Sequence, residues 1–245
     1  MEQHTFNIHH FIQIARVPTD GAHGNPASPF NLRFKAKPLS EDLSAAISGT
    51  CIYLATLDGV VAYLGKYQPT QGRIINDRLG RHLQTITGRG ADIGFGGQGN
   101  PQKRLKLLLG AICDERLRAA LQDEYETSKR RFRDTGYNTT PDRLRFASEN
   151  WESFGADDEA ILNRLSFTLV HMQPDTDQRV SQQQISLVEK RLLDQFRPAC
   201  NAQYRHEHDA HSRQVFTVDR VTELIRAQML AVTGSDARDC ITLGV

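Results

Sequence analysis

Two β-prone segments joined by Asp58-Gly59 constrain the fold of this chain more than any other feature of its sequence. The first segment, TCIYLATL, ends at Leu57, and the second, VVAYLGKY, begins at Val60. An Asp-Gly pair readily adopts the positive φ angles that a two-residue hairpin turn requires. The sequence therefore predicts an antiparallel β-hairpin with a tight turn at residues 58 and 59.

Further elements are predicted after the hairpin in the order helix, strand, helix. RIINDRLGRHLQTI (73–86) has apolar residues near helical spacing, LSFTLVHM (165–172) has strand character, and SQQQISLVEKRLLDQF (181–196) is again helical. A last amphipathic helix is predicted at about 219–232. The segment 101–134 predicts one or two helices whose apolar face is formed by Leu105, Leu108, Leu109, Ile112, Leu117 and Leu121.

Polar side chains fall where these elements would bring them together. Tyr53 and Tyr63 are expected to share one face of the hairpin, and Arg78 and His82 are four apart on one helix face. Glu189 is the acid in the apolar half of its helix pattern, which makes it a candidate ligand for magnesium or manganese. Cleaving a phosphodiester requires an activated water, charge stabilisation at phosphorus and help for the leaving oxygen, and these residues offer a candidate for each.

In this order, the residues resemble the motifs of the GIY-YIG nuclease family. Cys51-Ile52-Tyr53 stands at the first motif and Tyr63-Leu64-Gly65 at the second. The sequence departs from the family where Cys51 replaces the glycine of the first motif and where a long insertion follows residue 87. The resemblance covers about 50–87 and 164–202, and the matching functional positions are Tyr53, Tyr63, Lys66, Arg78, His82, Glu189 and Asn201.

The resemblance implies an α+β fold with a small antiparallel three-stranded sheet flanked by helices. An N-terminal arm and short helix (1–48) would precede the nuclease domain (49–245), which would contain a large helical insertion at about 88–163 that recognises DNA. The short helix is expected to begin at Ser40 as its N-cap.

The resemblance also implies a role for each site residue. Tyr53 would act as general base on the attacking water, with His82 adjusting its proton and Lys66 assisting. Arg78 would stabilise the developing charge and Tyr63 would hydrogen-bond the phosphate. Because a tyrosine with an ordinary pKa of about 10 is a poor base at neutral pH, this scheme requires the pKa of Tyr53 to be lowered. Glu189 would hold the single divalent metal ion, Mg²⁺ or Mn²⁺. Asn201 would orient the metal or the phosphate.

Each residue also has a simpler interpretation. A tyrosine pair on a hairpin is commonly a cross-strand packing pair, and Arg78 with His82 can form an ordinary solvated helix face. Glu189 can pair with Arg164 or Arg191 at the surface.

The net charge of +1 gives no general support for nucleic-acid binding, but basic residues cluster between residues 73 and 106. These residues are candidates for contacting DNA phosphates, and solvated faces are the alternative. The predicted DNA-binding residues are Arg73, Arg81, Arg89, Lys103, Arg104 and Lys106.

Several other functions are not supported. The glycine-rich GFGGQG (94–99) follows a helix rather than a strand, which argues against dinucleotide binding. The dispersed cysteines exclude a zinc ribbon, and His206, His208 and His211 lie in a polar stretch and stay unassigned. No long apolar run or signal peptide is present, so we expect a cytoplasmic protein without membrane contact.

Within the family, a catalytic domain with inserted helices most resembles a type II restriction endonuclease acting on double-stranded DNA. One active site cuts one strand, so we expect a homodimer. A structure-specific or homing nuclease, and a non-catalytic DNA-binding module with the same fold, are the alternatives.

Overall fold

The computed structural model describes residues 2–17, 28–68, 74–96, 99–127, 129–132, 137–172, 182–201 and 216–234, which form an α+β structure. The strands are β1 (Gln3–Asn7), β2 (Ile12–Arg16), β3 (Leu32–Ala36), β4 (Cys51–Leu57), β5 (Val60–Tyr67), β6 (Ile93–Gly94), β7 (Tyr137–Asn138) and β8 (Leu165–His171). The α-helices are α1 (Glu41–Ala46), α2 (Gly80–Ile86), α3 (Pro101–Leu109), α4 (Glu115–Thr127), α5 (Pro141–Glu149), α6 (Trp151–Ala156), α7 (Asp158–Arg164), α8 (Gln182–Phe196) and α9 (Val218–Gly234).

The predicted hairpin is confirmed as β4 and β5. The two strands pair antiparallel, with Tyr53 opposite Gly65 and Ala55 opposite Tyr63. Asp58 and Gly59 have φ angles of 49° and 79°, as a turn with two positive φ values requires. The Asp-Gly turn sets the pairing next to it, and a register shift between Ala55 and Thr56 then sets the pairing of both tyrosines.

The main sheet has four strands in the order β1-β8-β4-β5, where three were predicted. β8 pairs antiparallel with β4, and β1 pairs antiparallel with β8 from Gln3 opposite Val170 to Asn7 opposite Ser166. The first residues are therefore part of the sheet rather than an extended arm. Ile8, Phe11 and Ile12 immediately after β1 are fully buried, which anchors this segment by the hydrophobic effect.

Other described residues of the N-terminal segment, among them Phe30, Leu32 and Phe34, pack in the same core. β2 and β3 form a separate antiparallel pair. The short helix α1 has the predicted N-cap, since the Ser40 side chain accepts a hydrogen bond from the backbone N–H of Leu43.

The two faces of the main sheet are covered by different helices. Ile52 and Leu54 of β4 are buried with the apolar faces of α8 and α9. Tyr53 and Ala55, the alternate residues, belong to a second buried cluster with α2 and the inserted helices. The period of two along β4 therefore directs Tyr53 towards α2.

The predicted helical patterns of residues 181–196 and 219–232 are confirmed. Their apolar positions are buried, namely Ile185, Val188, Leu192, Phe196, Val221, Ile225 and Met229.

The predicted helix at 73–86 is not a continuous α-helix. Ile74–Leu79 form a π-helical segment, and α2 begins at Gly80. A π-helix has i→i+5 hydrogen bonds and more residues per turn than an α-helix. Because Arg78 lies in the π-helical segment and His82 in α2, the α-helical repeat of 3.6 residues per turn does not describe their relative directions. A Cβ at Gly80 would lie 3.1 Å from the Phe34 carbonyl oxygen, which shows how closely α2 approaches β3.

The inserted segment contains α3 to α7 and the short parallel pair of β6 and β7. Its buried residues Leu108, Leu117 and Leu144 belong to the same cluster as Tyr53 and Ala55, so the insertion is packed on the tyrosine face of the sheet. In the part of the chain that is described, no helix is both long and apolar enough to span a membrane.

Candidate active site

Tyr53 is the most constrained residue of the site. Its side chain is only 2 % exposed, and its hydroxyl lies 2.9 Å from Nε2 of His82. The cross-strand partner of Tyr53 is Gly65, where an added Cβ would stand 2.7 Å from both Cζ and Oη of the Tyr53 ring. The tyrosine ring therefore lies across the β5 backbone, and only glycine at position 65 leaves room for it.

Three rings meet at this point of the sheet. The Tyr63 ring is 6.0 Å from the Tyr53 ring and 4.1 Å from the His82 ring, measured between centroids. The prediction that both tyrosines share a face is confirmed. The packing interpretation is also partly correct, because the Tyr53 ring contacts Phe167 as well. Packing alone, however, does not require the hydrogen bond from Tyr53 to His82.

The charges around the rings are mainly positive. Arg78 is close enough for its charge to lower the pKa values of Tyr53, Tyr63 and His82. Arg81 adds to this effect at His82, and its side chain is exposed. The helix that follows the hairpin therefore brings an arginine to the tyrosine pair, as the sequence predicts.

Burial keeps Tyr53 and His82 neutral. It raises the pKa of Tyr53 well above 10, Tyr63 adds to this effect, and Arg78 opposes it. Burial is also the main reason that the pKa of His82 is lowered to about 3, with the nearby arginines adding to the shift. The lowered tyrosine pKa that the sequence-based scheme requires is therefore wrong for this state. The tautomer of the neutral His82 sets the direction of the bond: with the hydrogen on Nδ1, Nε2 accepts the hydroxyl hydrogen of Tyr53.

Glu189 of α8 lies at the outer edge of β5. Its Oε1 accepts the backbone N–H of Lys66 at 3.0 Å, and its Oε2 pairs with Nζ of Lys66 at 3.2 Å. The predicted alternatives for Glu189 are wrong, because Arg164 pairs with Asp58 and Arg191 hydrogen-bonds Gln228.

The prediction that Lys66 assists Tyr53 is not supported by their positions. Lys66 follows Gly65 and so projects from the opposite side of β5. Its ammonium donates to Ser186 Oγ at 2.7 Å and pairs with Glu189. Lys66 therefore orients the carboxylate of Glu189 rather than the phenol of Tyr53.

Asn201 completes the edge of β5. Its Oδ1 accepts from the backbone N–H of Leu64 at 2.9 Å, and its Nδ2 donates to the carbonyl of Leu64 at 2.7 Å. The side chain is buried and imitates a neighbouring strand. Both amide atoms are bonded to the β5 backbone, and the role of Asn201 in orienting metal or phosphate stays a prediction.

The site contains one arginine that the sequence did not reveal. Arg143 of α5 lies with Cζ 5.3 Å from the centroid of the Tyr63 ring. Its Nη1 donates to Thr85 Oγ1 at 2.6 Å, and its Nε donates to the carbonyl of Cys200 at 3.1 Å. No spacing rule connects α5 with the hairpin, so only the folded structure identifies Arg143.

The predicted DNA-binding residues divide into two groups. Arg81, Lys103 and Lys106 have exposed side chains. The prediction is corrected for Arg89 and Arg104, because their guanidinium groups donate hydrogen bonds within the protein. Arg89 is 5 % exposed and donates to the carbonyls of Pro29 and Phe154, and Arg104 donates to those of Phe95 and Thr139. Arg73, His206, His208 and His211 lie outside the described residues.

Glu189 fits a magnesium ion by the chemistry of its donors. Magnesium prefers hard oxygen ligands and is commonly bound through one or two carboxylates, substrate phosphates and water. The Glu189 side chain is 17 % exposed, and each of its oxygens has a second lone pair beyond the bond to Lys66. Among the described residues, no group of three or more His, Cys, Asp or Glu side chains forms a larger metal site.

Comparison of the chain with protein-family models, curated proteins and solved structures gives no match.

Proposed function

We propose that this protein is a magnesium-dependent endonuclease of the GIY-YIG kind that cleaves double-stranded DNA. The hydrogen bond between Tyr53 Oη and His82 Nε2 is the observation that carries the proposal. It joins a phenol to a neutral imidazole that packs against a second tyrosine, in a region of positive charge. Glu189 at the β5 edge is close enough for its charge to raise the pKa of Tyr53. Such a site suits an anionic substrate and provides a path for a proton.

The proton path follows from this geometry. The attacking water gives a proton to the oxygen of Tyr53 while the phenolic proton passes to Nε2 of His82, and the hydroxide attacks the phosphorus. The 3′ oxygen leaves with its bonding electrons and takes a proton from solvent, and His82 returns its proton to solvent. A bound phosphate opposes the nearby cations and so raises the pKa of His82, which favours the transfer. This relay needs no tyrosinate in the resting protein.

The other residues of the site act on charge and orientation. Arg78 stabilises the negative charge that develops on the phosphate oxygens, and Tyr63 donates a hydrogen bond to the phosphate. Glu189 would hold a magnesium ion, or manganese in its place, which would supply positive charge to offset the charge that develops during cleavage. Lys66 and the β5 backbone hold the carboxylate in position.

The substrate and the assembly of the protein are proposed separately from the chemistry. We propose site-specific cleavage, as in type II restriction endonucleases, with exposed Lys103 and Lys106 of the insertion contacting phosphates. One site cuts one strand, so cleavage of both strands at one place is proposed to require a homodimer. Sedimentation of the protein with and without duplex DNA tests this assembly.

Incubation of supercoiled plasmid with the protein and magnesium tests the function. We expect discrete linear fragments from the wild type and a loss on the order of 10²–10⁴-fold in rate for Tyr53→Phe, which removes the proton relay but keeps the ring. Tyr125→Phe is the matched control, because the Tyr125 ring packs on Phe132 in the insertion, whereas the ring contacts of the site join Tyr53, Tyr63 and His82. Nicked circles alone would favour a structure-specific nuclease, and tight binding to intact supercoiled DNA would favour a non-catalytic module.

A further inference from the structure

The guanidinium of Arg143 connects three separate elements of the site. It contacts the Tyr63 ring on β5, donates to Thr85 on α2, and donates to the carbonyl of Cys200 after α8. These elements belong to the part of the chain that resembles the nuclease motifs, whereas Arg143 belongs to the insertion. A single side chain thus fixes the insertion to the three elements.

The contact with Thr85 leads directly to His82. Oγ1 of Thr85 accepts from Nη1 of Arg143, and its hydroxyl donates to the backbone carbonyls of His82 at 3.1 Å and Arg81 at 3.3 Å in the preceding turn. Thr85 is buried, so this chain of hydrogen bonds is shielded from water. The position of the α2 turn that carries His82 is therefore coupled to Arg143.

The contact with Tyr63 reaches His82 by a second route. The Tyr63 ring lies 4.1 Å from the His82 ring and contacts the guanidinium of Arg143 as a cation–π pair. Arginine suits this place because its planar fork can stack on a ring and donate in fixed directions at once, which lysine does not do. The charge acts in the same region: Arg143 adds to the burial that lowers the pKa of His82 and opposes the burial that raises the pKa of Tyr63.

We propose that Arg143 is a positioning residue of the active site, which holds the Tyr63 ring against the His82 ring and fixes α2 through Thr85. The inserted segment is then a part of the catalytic centre as well as a surface for DNA. This inference rests on the proposed function where it concerns cleavage, and on geometry alone where it concerns the two rings.

Arg145 provides a matched control for Arg143. It lies two residues further along α5, is similarly half-buried and pairs with Asp142 at 3.9 Å. Arg143→Lys keeps the charge and removes the fork, and Arg145→Lys makes the same chemical change away from the rings. Thr85→Val removes one acceptor of Arg143 with almost no change in shape.

Steady-state cleavage of a duplex containing one target site, in magnesium, separates positioning from binding. For Arg143→Lys we expect kcat to fall on the order of 10²-fold with little change in KM, because misplacing a catalytic group costs about that much. Thr85→Val should show a smaller fall in kcat, and Arg145→Lys should resemble the wild type. Guanidinium ion, at concentrations well below those that unfold proteins, should partly restore kcat to Arg143→Ala. Wild-type kcat in Arg143→Lys, or an equal fall for both lysine variants, would overturn the proposal.

A second measurement does not depend on cleavage. The Tyr63 ring shifts the NMR resonances of the His82 ring protons by its ring current, and Arg143→Lys should move these resonances while Arg145→Lys leaves them unchanged. If the His82 resonances of Arg143→Lys are the same as those of Arg145→Lys, Arg143 does not position the rings. A wild-type protein that never cleaves DNA would instead remove the proposed function and leave the ring geometry to be judged by these spectra.

Discussion

The ring of Tyr53 lies directly over Gly65 of the neighbouring strand, at a distance that excludes even a methyl group. A Cβ at position 65 would stand 2.7 Å from both Cζ and Oη of the tyrosine. The glycine of the second motif is therefore explained by the tyrosine of the first. The contact requires glycine at position 65, although glycine is otherwise unfavourable within a strand.

Gly65→Ala is expected to destabilise the protein by about 1–3 kcal/mol, the usual cost of overpacking a buried site, and to abolish the contact of Tyr53 with His82. Urea denaturation measures the first effect and plasmid cleavage the second. Gly110→Ala is the control, because a Cβ there would be 3.4 Å from its nearest neighbour and φ is −66°. Equal stability of the two variants would contradict the close approach of ring and backbone.

The hairpin and helices α8 and α9 were predictable because their signals are local. Asp58-Gly59 encodes the turn, and the apolar repeat of α8 encodes its buried face. The fourth strand was not predictable, since Gln3 pairs with Val170 and no local pattern identifies a partner so distant in sequence.

The candidate site also combines residues that the sequence predicts with residues that it does not. Tyr53, Tyr63 and His82 were brought together by the resemblance and by short-range geometry. Arg143 was missed because it lies on a different helix of the insertion. The burial that raises the pKa of Tyr53 was also missed, because it depends on Phe167 and other packed neighbours from distant segments.

His82 should make the stability of the protein depend on pH. Its pKa is lowered from an ordinary 6.5 to about 3, mainly by burial, so the unfolded chain binds a proton at this residue in a range where the folded chain does not. Stability from this group is fully present above 6.5 and is lost as the pH falls towards 3, by up to ~1.4 kcal/mol per pH unit. We expect the difference in unfolding free energy between wild type and His82→Gln to be constant at neutral pH and to shrink in acid. A difference that stays constant down to pH 4 would contradict the neutral state of His82.

Glu189→Gln tests the proposed metal ligand without disturbing the strand edge. The amide oxygen of glutamine still accepts the backbone N–H of Lys66, whereas the negative charge that attracts a divalent cation is lost. We expect cleavage to slow on the order of 10²-fold or more, because metal catalysis contributes several kcal/mol. Magnesium titration of cleavage by both proteins is the measurement, with Glu126→Gln, a change to an exposed side chain of α4, as control. Wild-type activity at every magnesium concentration would remove Glu189 from the site.

Asn201→Asp distinguishes a strand cap from a metal or phosphate ligand. Aspartate still accepts from the backbone N–H of Leu64, but its second oxygen faces the Leu64 carbonyl, where the amide of Asn201 donates. A buried acceptor left without its donor costs about 1–3 kcal/mol, so this variant should unfold at lower urea concentration. Asn163→Asp makes the same change on an exposed side chain and should leave stability unchanged. A ligand role predicts the reverse for Asn201→Asp, namely tighter magnesium binding with wild-type stability, because a carboxylate binds the ion better than an amide does. Loss of stability with no gain in metal affinity would assign Asn201 to holding β5, and through β5 the positions of Tyr63 and Gly65.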